Sequence, residues 1–80
     1  MRVIKEIPHP SCKITLFAWN NRYIIKVEQG LFEQTFKVNQ FDVTDENDIV
    51  QMVDEEFLTE CTKRFEKMAE SLYQAQLRIG

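Results

Sequence analysis

The side chains able to do chemistry are few and scattered. The one histidine, His9, stands between Pro8 and Pro10, and the two cysteines, Cys12 and Cys61, lie far apart in the chain. Nucleophilic or acid–base catalysis needs an imidazole within reach of a nucleophile and of a carboxylate that orients it. Nothing near His9 in sequence supplies either, so an exposed bend is the expected role. There is no C-x-x-C, and two thiols with one distant histidine make a poor zinc set. Both cysteines fall at apolar positions, where cysteine acts as a small hydrophobe. The carboxylates Asp54, Glu55 and Glu56, with Glu60, are the remaining metal candidates. Adjacent positions on a helix fan around its surface instead of converging, so a solvated helix face is expected there. With two glycines, Gly30 and Gly80, no phosphate-cradling loop can form. The expectation is a protein that is not an enzyme, with no catalytic residue, no metal ligand and no cofactor.

The totals bound the class. Eighty residues make one expected domain, 1–80, near the lower size at which a hydrophobic core suffices without staples. A hydrophobic fraction of 44% excludes disorder as the default state. Two cysteines are too few for a disulfide-stapled secreted domain. The start Met1, Arg2, Val3, Ile4, Lys5, Glu6 is charged and strand-like, unlike a leader, and no apolar run reaches membrane-spanning length. A cytoplasmic location with free thiols and no membrane contact is expected. Charge is uneven: residues 1–43 carry six cations against four carboxylates, residues 44–80 four against nine. Net acidity opposes phosphate binding by the molecule as a whole, while the first half keeps a basic excess.

The elements that would position these groups read as an α+β fold, an antiparallel β-meander of three or four strands followed by one long C-terminal amphipathic helix. Residues 11–19 alternate with period two, Cys12, Ile14, Leu16 and Ala18 against Lys13, Thr15, Phe17 and Trp19. Asn20 and Asn21 tolerate the left-handed φ of a type I′ hairpin, which pairs Trp19 with Arg22, Phe17 with Ile24 and Thr15 with Lys26. A second turn at Gln29 and Gly30 would pair Val27 with Phe32, Ile25 with Gln34 and Tyr23 with Phe36. Strands are thus expected over about 12–19, 22–28 and 31–38, with residues 2–7 as a candidate fourth. Thr44 or Asp45 is a candidate N-cap for a helix over about 45–78. Its apolar stripe, Val50, Val53, Phe57, Cys61, Phe65, Met68, Leu72, Ala75 and Ile79, has a mean step of about 3.6, which disfavours a long coiled coil. Such a helix outruns strands of eight residues, so it overhangs the sheet or breaks, with the break placed near residues 59–62. The expected core is Ile14, Leu16, Tyr23, Ile25, Val27, Phe32, Phe36, Val50, Phe57, Phe65, Met68 and Leu72.

Two surfaces follow. The sheet face opposite the core would present Lys13, Phe17, Trp19, Arg22, Ile24, Lys26 and Lys37. Bases stack on exposed rings while cations hold phosphates, so this mixture suits single-stranded nucleic acid. Strands followed by a helix are similar, in topology alone, to one repeat of the Pur and Whirly single-strand binders, a resemblance that implies the same ligand. The competing expectation, which ranks first, is protein contact, since aromatics and arginine are enriched at interface cores. The C-terminal half of the helix is apolar on two flanks, which predicts a homodimer or higher assembly through Leu58, Phe65, Ala69, Leu72, Tyr73 and Leu77. An interaction or adaptor module acting as a homo-oligomer, with an unidentified protein partner, is the expected function.

Overall fold

The alternation of apolar and polar side chains builds four strands: β1 (Arg2–Ile7), β2 (Lys13–Trp19), β3 (Arg22–Gln29) and β4 (Phe32–Asn39). In the computed structural model, which describes residues 1–80, they form one antiparallel sheet in the order β1-β2-β3-β4. Residues 2–7 are therefore a full edge strand. The register between β1 and β2 slips between Val3 and Lys5. This bulge lets Ile4 and Ile7, three apart, both pack against the core.

Both hairpin turns have two residues. Asn20 and Asn21 have φ of 54° and 61°, the two positive values a type I′ turn requires. They pair Trp19 with Arg22, Phe17 with Ile24 and Thr15 with Lys26, as the alternation predicts. The second turn lies at Gly30 and Leu31, not at Gln29 and Gly30. Gly30 alone has positive φ, 60°, at the first central position, as in a type II′ turn. Moving the turn by one residue moves every pair by two: Val27 faces Gln34, Ile25 faces Phe36 and Tyr23 faces Val38. A shift of two preserves the side-chain faces, so the apolar face survives the correction.

After β4 come a single 3-10 turn (Gln40–Asp42) and two helices, α1 (Glu46–Met52) and α2 (Glu55–Ile79). Asp45 caps α1, its carboxylate accepting from the N–H groups of Asn47 and Asp48. The break expected near 59–62 lies instead at Val53 and Asp54. Val53 leaves helical geometry (φ −86°, ψ 71°), and Asp54 starts α2 by accepting from the Phe57 N–H. Glu55 and Glu56 then sit in the first turn, where the helix dipole favours negative charge. Three of the four acidic residues read as a solvated face, Asp54 above all, are thus the device that begins the helix.

Both helices lie on one face of the sheet. The core joins Ile14, Leu16, Ile25 and Val27 of the inner strands to Ile49 and Val53 and to Cys61 and Phe65 of α2. Ile49 is fully buried although it lay outside the expected stripe, while Val50 is only half-buried. Leu72, expected in the core, is 47% exposed. Phe57 packs edge-on against Phe36, ring centroids 5.1 Å apart, and Gln34 bonds to the Cys61 carbonyl. These two contacts run α2 antiparallel to β4, so its C-terminal turns leave the sheet at the Gly30 and Leu31 end. At 1.5 Å per residue α2 is about 37 Å long, against about 26 Å for an eight-residue strand. The fold is accordingly elongated, 48 × 26 × 19 Å. Within α2 the stripe Leu58, Cys61, Phe65, Met68, Leu72, Ala75, Ile79 steps by three and four alternately. The longer mean step comes from Phe57, four residues before Cys61 and packed on Phe36, which the earlier stripe counts in place of Leu58.

Candidate functional site

With both helices on one face, the other face of the sheet has no cover. The register arranges its side chains in rows. Lys13, Glu28 and Glu33 form one; Glu6, Thr15, Lys26 and Thr35 the next; Val3, Phe17, Ile24 and Lys37 the third; Trp19, Arg22 and Asn39 the last. All seven residues expected at a binding face therefore lie on one surface. They are not equally available. Ile24, in an inner strand, is 8% exposed and Phe17 half-buried, whereas Trp19, beside the Asn20 turn, is 48% exposed.

Charge divides this face in two. Toward the Gly30 turn, Lys26 lies 3.2 Å from Glu28 and 3.6 Å from Glu33, and these carboxylates raise its pKa, Glu28 by a hydrogen bond foremost. Lys13 stands directly opposite Glu28. Toward the Asn20 turn, Arg22 and Lys37 make no ion pair with any carboxylate, and they flank Trp19 and Ile24. A concavity of about 410 Å³ opens at this end, lined by Trp19, Arg22, Tyr23 and the Arg2–Glu46 pair among others. The hydrogen bond from Arg2 holds the Glu46 carboxyl below its ordinary pKa and ties β1 to α1.

The side chains able to do catalysis stay apart. Ser11 donates its N–H to His9 Nδ1 at 3.2 Å, which fixes the bend, and no carboxylate bonds the ring's other nitrogen. Cys61 is buried, and desolvation pushes its thiol pKa up, with Arg64 acting in the opposite direction. No three His, Cys, Asp or Glu side chains come together as a metal-binding set, and no helix is long and apolar enough to cross a membrane. The sequence reading missed a polar cluster that runs from the core to the surface. Gln34, on the core face of β4, donates to the Cys61 carbonyl at 2.8 Å and accepts from Arg64 Nε at 2.9 Å. The Arg64 guanidinium also lies over the Phe36 ring, 5.6 Å from its centroid. A glutamine at an inward position of an alternating strand was the available signal.

The overhang of α2 is the second surface. Of the residues expected at a subunit contact, Phe65 is 2% exposed and belongs to the chain's own core, and Leu58 is half-buried beside it. Ala69, Leu72, Tyr73 and Leu77 remain exposed, the last three at 47%, 58% and 55%. Ile79, on the same stripe as Leu72, is 88% exposed. A search of protein-family models, of curated proteins and of solved structures found no match to this chain.

Proposed function

We propose that this protein is a non-enzymatic interaction module of the cytoplasm that works as a homodimer, with the α2 overhang in the subunit contact. One observation carries the reading: Leu72, Tyr73, Leu77 and Ile79 stand 47% to 88% exposed on helical turns that extend past the sheet. Exposed apolar side chains grouped in this way mark contact surfaces. A helical end without tertiary contacts also has little stability of its own in water. A second subunit supplies both cover and order, and a two-fold axis lets one patch serve twice. Sedimentation equilibrium at micromolar concentration should report two subunits. Tyr73→Glu with Leu77→Glu should yield a monomer that keeps its strand signal in circular dichroism. A wild-type chain that stays monomeric across the range refutes the reading.

The uncovered sheet face supports a second reading, single-stranded nucleic acid as its ligand, favoured by Arg22 and Lys37 standing free of carboxylates beside Trp19. Bases stacking on Trp19 would quench its fluorescence, and Arg22→Glu would weaken binding and flatten its salt dependence. Trp19 emission unmoved by excess oligonucleotide at low salt removes this reading.

A further inference from the structure

We infer that the homodimer forms by antiparallel pairing of β4 with β4 of a second copy, about a two-fold axis at Thr35, joining two four-stranded sheets into one of eight strands. This inference rests on the homodimer reading above and names the surface that builds it.

The two edges of the sheet differ. β1 has six residues, its register slips between Val3 and Lys5, and Pro8 follows it, all features that blunt an edge against pairing. β4 has eight residues, pairs with β3 without a slip and contains no proline. In a two-residue hairpin the closing pair, here Gln29 and Phe32, exchanges both backbone bonds, and bonded pairs then recur at every second residue. Phe32, Gln34, Phe36 and Val38 therefore bond inward to β3. Glu33, Thr35 and Lys37 turn their N–H and C=O groups outward, and none of the backbone bonds outside the regular elements reaches them.

Charge selects the register. Outward-bonding residues must face one another, so the choice is among steps of two. An axis at Thr35 sets Glu33 opposite Lys37 of the second copy, and Lys37 opposite its Glu33, with Thr35 against Thr35. An axis at Glu33 or at Lys37 sets like charges face to face, which is destabilising. Axes at Gln34 or Phe36 set no opposite charges together. The Thr35 register alone forms two ion pairs, and it uses Lys37, which has no partner within its own chain.

The core face fits the same operator. The inner-strand residues Ile14, Leu16, Ile25 and Val27 are at most 1% exposed, whereas Phe32, Phe36 and Val38 of β4 are only partly buried. α2 lies over β4, with Phe57 on Phe36 and the Cys61 carbonyl on Gln34, yet these edge side chains stay partly open on the side where no further strand follows. The Thr35 axis brings Phe32 opposite Val38 of the second copy, and Phe36 opposite its Gln34. It also carries the Asn39 end of the second β4 to the end where α2 leaves its own sheet. Phe41 and Met52, 82% and 42% exposed, belong to the segments that follow that end. The overhang of each copy is thereby set beside exposed apolar side chains of the other.

The test is a cross-link at the axis. In a Cys12→Ser background with Cys61 left buried, Thr35→Cys should oxidise to a covalent dimer. A hydrogen-bonded antiparallel pair has its Cα atoms about 5.5 Å apart, within disulfide reach. Lys37→Cys should not cross-link, because four residues of offset separate the two copies by about 13 Å. In solution, Lys37→Glu should raise the dimer dissociation constant about tenfold by turning two attractions into repulsions. Glu33→Lys combined with Lys37→Glu should restore it to within about threefold. A wild type that sediments as a dimer while Thr35→Cys stays uncross-linked overturns β4 pairing and leaves the homodimer standing. Equal cross-linking at residues 35 and 37, or no response to Lys37→Glu, overturns the register. A monomeric wild type overturns both proposals.

Discussion

Gln34 is the one polar side chain on the core face that is shielded from water, at 9% exposure, and it holds α2 to β4 by two bonds. Replacing it with leucine removes both. The neutral bond to the Cys61 carbonyl contributes about 1 kcal/mol, and the bond from Arg64, charge-assisted but partly solvated, about 1–2 kcal/mol. Leucine returns some of this as apolar burial, so a net loss of about 1–2 kcal/mol is expected. Arg64→Leu breaks one of the two bonds and strands the Gln34 carbonyl oxygen, at a cost of about 1–3 kcal/mol. If the two side chains act through each other, the double variant should lose less than the sum by about 1–2 kcal/mol. Urea titrations of the four proteins, in the monomeric Tyr73→Glu and Leu77→Glu background, give the coupling directly. A coupling below about 0.5 kcal/mol, the scatter of independent sites, would refute the linkage and reduce Gln34 to a space-filler.

Two further outcomes follow from burial. In the same background Phe65→Ala should cost about 3–5 kcal/mol, as an aromatic removed from a closed core, while Leu72→Ala one heptad later should cost under about 1 kcal/mol; equal losses in urea titration would contradict the overhang. Of the two thiols, Cys12 should react with a disulfide reagent at pH 8 well before Cys61, whose burial both blocks access and keeps the thiol protonated; Cys61 reacting as fast as Cys12 in the folded state would count against its placement.

The faces of the sheet and the β2–β3 register were legible, because side-chain parity is a local rule and Asn20 and Asn21 mark one turn, whereas the β3–β4 register was not. Gln29 with Gly30 and Gly30 with Leu31 are both acceptable two-residue turns, and they differ by a step that leaves every face unchanged. Parity also brought Phe17, Trp19, Arg22 and Lys37 together correctly, and it set Glu28 and Glu33 on the same face as Lys26, which they occupy, Glu28 from two residues along the same strand and Glu33 diagonally from β4. The helix break was misplaced for a different reason. Asp54, Glu55 and Glu56 satisfy equally the description of a solvated helix face and of a capped helix start. Only the φ and ψ of Val53 separate the two, and Ile49 was lost with the break because the stripe was drawn through it as one helix. Phe65 and Leu72 show where the limit lies. They occupy equivalent positions of one stripe, seven residues apart, yet one is 2% exposed and the other 47%. Nothing in the periodicity of α2 distinguishes them. The difference is set by where the strands end beneath the helix, so the same pattern that builds the core continues beyond it as a surface in search of cover.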